Sequence, residues 1–447
     1  MLEYKSCAQD IARKMKGTLI GENCKIEAIS IDTREKLECP FCFIAIRGER
    51  FDGHQFIDEA IRNGATLIVL ERKIEINISV PVIYVNNTII ALGLLAKNTE
   101  RKARIIGITG SVGKTSTKDL IVSVLKEKYS VIGTNKNFNN EIGVPMTLLS
   151  IKSEDYCVLE FGARKKNDIK WLSFIAEPEI VIVTNSGTSH IEFFGSKDEI
   201  FKEKVKIINK NSSVAIVPSE KRFKEHDYKN VKPIFIGYNG DFFYKKIKIN
   251  NNGITGDLFS NKKRIARIKY NTLSKNIFEN TIFAYVVGCL CGINKKQIKS
   301  GIKKCMVPKH RVEIIILKTN IIIDDSYNAS YESTISSINT LVELSNLKHK
   351  DPICILGDML ELGEKSKELH YMIGRYCKTK NISELYVLGN YANEVVCGSG
   401  FGIEFVSFEE ITEYLKRKKN CAFLVKASRK MGFEKIVEEM KDIFNEH

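Results

Sequence analysis

The chain has 447 residues, 43% of them hydrophobic and 28% charged, with a net charge of +15. That is the make-up of a soluble protein long enough for about two to four domains. No apolar run approaches the roughly 20 residues of a membrane-spanning helix. The first residues lack the basic-then-apolar order of a secretion signal, so the expected compartment is the cytoplasm, with the 12 scattered cysteines reduced. Lysines are spread along the chain without aromatic interleaving, which argues against a nucleic-acid-binding module and leaves a surface suited to anionic ligands.

Residues 1–98 read as a small α/β unit. A helix over Ser6–Lys16 is followed by strands at Thr18–Ile20, Ile26–Ser30 and Cys42–Ile46, a helix over Phe56–Asn63 and a strand at Thr66–Leu70. Asp32-Thr33-Arg34 reads equally as a capped turn or a functional loop. Cys39-Pro40-Phe41-Cys42 lacks the second pair that zinc would want and reads as a turn between strands.

Residues 99–312 follow a βαβ rhythm. Ile105, Ile106 and Ile108 form an apolar strand. Glycines at 110 and 113 make a tight turn, and Leu120, Ile121, Val124 and Leu125 give the next segment a helical period. Strands at Cys157–Glu160 and Glu179–Asn185 follow, then a basic helix over Lys197–Ile208, an antiparallel patch over Phe242–Tyr270 and a buried helix over Phe278–Cys291, with Cys289 and Cys291 in the core. Pro308 is the best break before the last unit. Residues 313–447 repeat the rhythm, with strands at Ile321–Ile323, Ile353–Leu356, Glu384–Leu388 and Ala422–Val425. Helices between them are expected at Tyr331–Leu344, Ser366–Cys377, Tyr391–Val396 and Phe408–Arg417. The fold class is therefore α/β in three domains: a smaller N-terminal domain, a central mostly parallel sheet with a phosphate loop, and a C-terminal Rossmann-like sheet.

The central stretch Thr109-Gly110-Ser111-Val112-Gly113-Lys114-Thr115-Ser116 carries the chemistry. Strand, glycine turn, Lys-Thr and helix form a P-loop, in which backbone N–H groups and the helix N-terminus attract phosphate. Lys114 would reach the outer phosphates and Thr115 would ligate Mg²⁺. Standard spacing wants glycine where Ile108 stands. In a parallel sheet, ligands collect beyond the carboxyl ends of strands, which brings Glu160 and the segment Asn185–His190 towards this loop.

These segments resemble the Mur ligases, whose own phosphate loop also explains Ile108. Ile31-Asp32-Thr33-Arg34 and Asp52-Gly53-His54 match in the first unit, and Asn139-Asn140-Glu141-Ile142-Gly143-Val144-Pro145 in the second. Asp324-Asp325-Ser326-Tyr327-Asn328-Ala329, Leu356-Gly357-Asp358-Met359 and Leu424-Val425-Lys426-Ala427-Ser428-Arg429-Lys430 match in the third. The matches stand in family order over nearly the whole chain. The resemblance implies an ATP- and Mg²⁺-dependent ligase that makes an amide through an acyl phosphate. It is strongest to the branch that takes a UDP-N-acetylmuramoyl-peptide and D-alanyl-D-alanine; the alternatives are another Mur-type ligase adding a single amino acid or acting on a related wall precursor and, in a different class, a basic P-loop nucleic-acid-binding protein. It implies catalytic roles for Lys114, Glu160, His190 and Lys204, with Thr115, Glu160, His190 and a carbamylated Lys204 as metal ligands. Asn280 (towards adenine), Arg311, Asp325, Tyr327 and Asn328 join the phosphate loop in binding ATP. Asp32, Thr33 and Arg34 would meet the UDP end, and Asn139 and Asn140 the peptide channel. A monomer is expected. The chain departs from the family pattern at Arg164-Lys165, where Asn-His is common, and at Asn276, Tyr331 and Ala427.

Overall fold

The computed structural model describes residues 2–34, 37–48, 51–72, 78–135, 138–187 and 191–446. Its strands form three sheets. The first contains β1 (Leu2–Cys7), β2 (Thr18–Ile20), β3 (Lys25–Ser30), β4 (Phe41–Ile44), β5 (Ala65–Leu70) and β6 (Val82–Tyr84), in the order β1-β3-β4-β5-β6-β2. β1, β6 and the helix Thr88–Asn98 escaped the sequence reading. That helix is apolar on nearly every side because it is buried on two. It packs between the helix Ala8–Met15 and the central helix Asp168–Ala176. Gly93 makes the contact possible, since a Cβ there would lie 2.6 Å from the Trp171 ring. Cys39-Pro40 lie in the connection between β3 and β4, and Cys42 lies inside β4 and is buried.

The central sheet contains β7 (Arg104–Thr109), β8 (Val131–Gly133), β9 (Tyr156–Glu160), β10 (Ile180–Val183), β11 (Val214–Pro218), β12 (Lys232–Ile236), β13 (Phe242–Asn250), β14 (Gly253–Ser260) and β15 (Lys263–Tyr270). Its order is β15-β14-β13-β12-β11-β10-β7-β9-β8. The expected antiparallel patch is thus an extension of this sheet through β13–β15. From β7 the chain crosses to β8 and β9 on one side, then to β10 on the other, so the strand order reverses at β7. A crevice opens at such a reversal, beyond the carboxyl ends of the strands. The buried helix expected at Phe278–Cys291 is two helices, Lys275–Glu279 and Thr281–Leu290, meeting at Asn280. Cys291 is core, but Cys289 is exposed near the helix end.

The third sheet contains β16 (Glu313–Ile316), β17 (Ile321–Asp324), β18 (Asp351–Gly357), β19 (Glu384–Leu388), β20 (Ile403–Phe405) and β21 (Cys421–Lys426), ordered β16-β17-β21-β18-β19-β20. All neighbours are parallel except β16 with β17. β17 and β21 run side by side, so Asp325 and Lys426 emerge at adjacent strand ends. A last amphipathic helix, Glu434–Glu446, covers one face of the sheet through Ile436, Val437 and Met440, with Phe433 just before it in the same cluster. No helix among the described residues is long and apolar enough to cross a membrane.

Candidate active site

A cavity of about 570 Å³ lies between the central and third sheets. Its floor is the phosphate loop. Gly110 adopts φ +150 and Gly113 φ +85, and a Cβ on Gly110 would sit 1.9 Å from Thr184 Oγ1. Both positions therefore require glycine. Thr109 is buried and braces β9 by donating to the Phe161 carbonyl at 3.0 Å. Ser111, Val112, Gly113, Lys114, Thr115 and Ser116 all line the cavity. The helix Lys114–Leu125 starts here and presents the N–H ends of its first turn.

One expectation needs correcting. The Ser111 and Val112 amides do not point at an open phosphate site, because the Asn185 side-chain oxygen accepts from them at 3.1 and 3.0 Å. The Asn185 amide donates back to the Val112 carbonyl at 2.8 Å, and Thr184 Oγ1 donates to the same carbonyl at 2.6 Å. An uncharged carboxamide thus takes the acceptor position that an anion could take. Asn185 was legible only as part of a nearby segment; its signal was its place at the end of an apolar strand.

Lys114 is partly buried and donates to the Gly110 carbonyl at 2.7 Å. Burial pushes its amine below the ordinary lysine range; Glu160 opposes that shift and Arg311 adds to it. A polyphosphate in the cavity would supply the missing negative charge. Glu160 is buried at the end of β9, where Thr115 Oγ1 donates to it at 2.8 Å and Asn139 Nδ2 at 3.1 Å. A hydroxyl and a carboxylate held this close beside a phosphate loop are the hard oxygen donors that Mg²⁺ prefers. Asn140 also lines the cavity, but its side-chain oxygen accepts from Gly143 N, at the start of the next helix, at 2.9 Å.

Lys204 is 1% exposed, lying in the helix Lys197–Val205 and not on a solvated basic face. Burial, with the charge of Lys114 second, pushes its amine down to about 7 against the pull of Glu203 and Asp168. His190, together with Thr188 and Ser189, lies outside the described residues.

The C-terminal sheet supplies the opposite wall. Arg311 stacks over the Tyr327 ring at 4.1 Å, with Arg429 near the same ring at 5.4 Å. Lys426, 2% exposed, pairs with Asp325 at 2.5 Å and donates to the Asn328 carbonyl at 2.8 Å. Lys426 was missed as a site residue, although a lone lysine ending an apolar strand is a usable signal. Asn280 lies against the loop, its amide nitrogen 3.0 Å from where a Gly113 Cβ would be.

Asp32, Thr33 and Arg34 do not line this cavity. They follow β3 in the first unit, where Arg34 pairs with Asp32 and holds its carboxyl down at about 2. Thr33 is buried, and its carbonyl accepts from Asn63 at 2.8 Å.

Comparison with known proteins bears on the family and the fold. Residues 25–106 match the Mur ligase family catalytic domain model, residues 108–288 the Mur ligase middle domain, and residues 310–442 the Mur ligase glutamate ligase domain. The UDP-N-acetylmuramoyl-tripeptide–D-alanyl-D-alanine ligase of Buchnera aphidicola subsp. Acyrthosiphon pisum is 36% identical, covering 96% of each chain. The protein of that name from Bacillus subtilis is 32% identical, covering 98% of each. Among solved structures, MurF from Acinetobacter baumannii superposes with a TM-score of 0.91 at 25% identity, covering 99% of this chain and 100% of that one. MurF ligase from Thermotoga maritima, solved in complex with ADP, gives 0.86 at 29% identity, covering 94% and 98%. The chain belongs to the Mur ligase family.

Proposed function

We propose that this chain joins D-alanyl-D-alanine to a UDP-N-acetylmuramoyl-tripeptide at the expense of ATP, completing the peptide of a peptidoglycan precursor. It is an ATP-dependent, amide-bond-forming ligase. The observation that carries the reading is one cavity shared by a phosphate loop, a buried carboxylate and the basic ends of the C-terminal sheet. Full-length relatives named for this reaction support the choice of substrates.

A carboxylate is a poor electrophile, so the terminal carboxyl of the tripeptide takes the γ-phosphoryl of ATP, releasing ADP. The dipeptide amine attacks the resulting acyl phosphate, loses a proton, and inorganic phosphate leaves. Lys114 and the first turn of its helix hold the outer phosphates, and Arg311 adds charge from the facing wall. Thr115 and Glu160 would hold Mg²⁺, whose chemistry would be to offset negative charge on phosphate oxygens. Lys204, if carbamylated, and His190 would help hold a second metal. Carbamate formation joins the neutral amine to carbon dioxide and releases one proton, and the depressed Lys204 value supports it.

In this reading residues 1–98 hold the UDP end through Asp32, Thr33 and Arg34, residues 99–312 hold ATP, and residues 313–447 bring the dipeptide. Asn139 and Asn140 border the tripeptide channel, Asn280 meets adenine, and Asp325, Tyr327 and Asn328 close over the nucleotide. Closure keeps water from the acyl phosphate. The enzyme works in the cytoplasm as a monomer, without nucleic acid. The test is phosphate release with UDP-N-acetylmuramoyl-tripeptide and ATP, comparing D-alanyl-D-alanine with single amino acids and identifying the product by mass. Release driven equally by a single amino acid would overturn the dipeptide assignment.

A further inference from the structure

Arg311 stands in an unusual piece of chain. The residues on both sides of it adopt left-handed backbone, His310 at φ 58 and Val312 at φ 57. A β-branched residue is a genuine outlier there, so the surroundings must hold the segment in place. His310 supplies three of the ties. Its Nδ1 lies 2.7 Å from Asp324 Oδ2; the carboxylate can only accept, so Nδ1 carries the proton. Its backbone N–H donates to Glu313 Oε2 at 3.1 Å. Its carbonyl accepts from the Tyr327 N–H at 3.1 Å. Asp324 is 1% exposed and held in turn by the Ser326 hydroxyl and N–H. All these partners belong to the C-terminal sheet or the loop that follows β17. The residues preceding His310 run back to the central helix Lys295–Lys304.

We propose that His310 is a positioning residue: it locks the Arg311 backbone to the C-terminal sheet, so that Arg311 travels with that domain and reaches the nucleotide only when the domain closes. The pivot then lies before His310, at Pro308-Lys309. The stack of Arg311 on Tyr327 follows, because His310 ties both the residue bearing the guanidinium and the residue bearing the ring. This inference rests on the reading of Arg311 as an ATP-binding residue.

The test uses the full-length enzyme with both substrates and ATP. His310→Ala removes the side-chain tie to Asp324. His310→Asn keeps it, because Asn Nδ2 sits the same number of bonds from Cβ as His Nδ1, and asparagine tolerates left-handed backbone. A charge-assisted bond corresponds to about a ten- to hundredfold effect. His310→Ala should therefore lower kcat/KM for ATP by about tenfold or more, with the KM for the UDP-linked substrate unchanged. His310→Asn should recover most of that loss. Equal losses in both variants, or a parallel rise in KM for the UDP-linked substrate, would overturn the positioning role, as would an unimpaired His310→Ala. Arg311→Ala serves as the control. If it leaves the KM for ATP untouched, the role of Arg311 itself fails; if it raises that KM while His310→Ala does not, only the proposal about His310 fails.

Discussion

Lysine amines combine with carbon dioxide only in the unprotonated form, and Lys204 is placed to hold that form near neutral pH. A lysine at its ordinary value of 10.5 has about one amine in 3,000 neutral at pH 7, whereas at about 7 roughly half are neutral. Burial, reinforced by the charge of Lys114, thus raises the reactive fraction about a thousandfold. Enzyme incubated with ¹³C-bicarbonate should show a carbamate carbon resonance that Lys204→Met lacks, and Lys204→Met should lose about a hundredfold or more in phosphate release. Without bicarbonate the folded amine has a lower pKa than the unfolded one, so the native state binds fewer protons between about 7 and 10.5. Stability against urea should therefore rise with pH across that window, by at most about 1.4 kcal/mol per pH unit, and Lys204→Met should lose that rise. An identical carbamate signal in Lys204→Met, or full turnover by that variant, would refute the reasoning.

Three other perturbations address the walls of the site. Lys114→Ala should abolish ATP-dependent ligation while leaving affinity for the UDP-linked substrate, read by calorimetry, within about threefold, if its proposed role is to meet phosphate. Gly110→Ala should weaken ADP binding and lower the urea midpoint by an equivalent of about 2 kcal/mol or more, since the new Cβ collides with Thr184 Oγ1; an unchanged melt would show that the loop can shift. Lys426→Ala leaves Asp325 buried without its cation. That should cost about 3–5 kcal/mol in urea unfolding, much of which Lys426→Ala combined with Asp325→Ala should restore.

The primary structure alone determined the local pieces. Apolar strands ending in a glycine turn or a carboxylate, and the Gly-Lys-Thr start of a helix, depend on neighbours in sequence, so β7, β9 and the phosphate loop were legible. The helix Thr88–Asn98 was not, because burial on two sides erases the polar face that gives a helix its period. Only the tertiary structure decided which groups meet. Parallel pairing of β7 with β9 and β10 sets Glu160 against Thr115 and turns the Asn185 carboxamide onto the loop amides. The same packing seals Lys204 from water and joins Asp325 to Lys426, residues 101 apart in sequence. Desolvation and charge coupling act through space, so a lysine on a stretch that reads as a basic helix along the chain is, in the folded molecule, a buried amine with a lowered pKa.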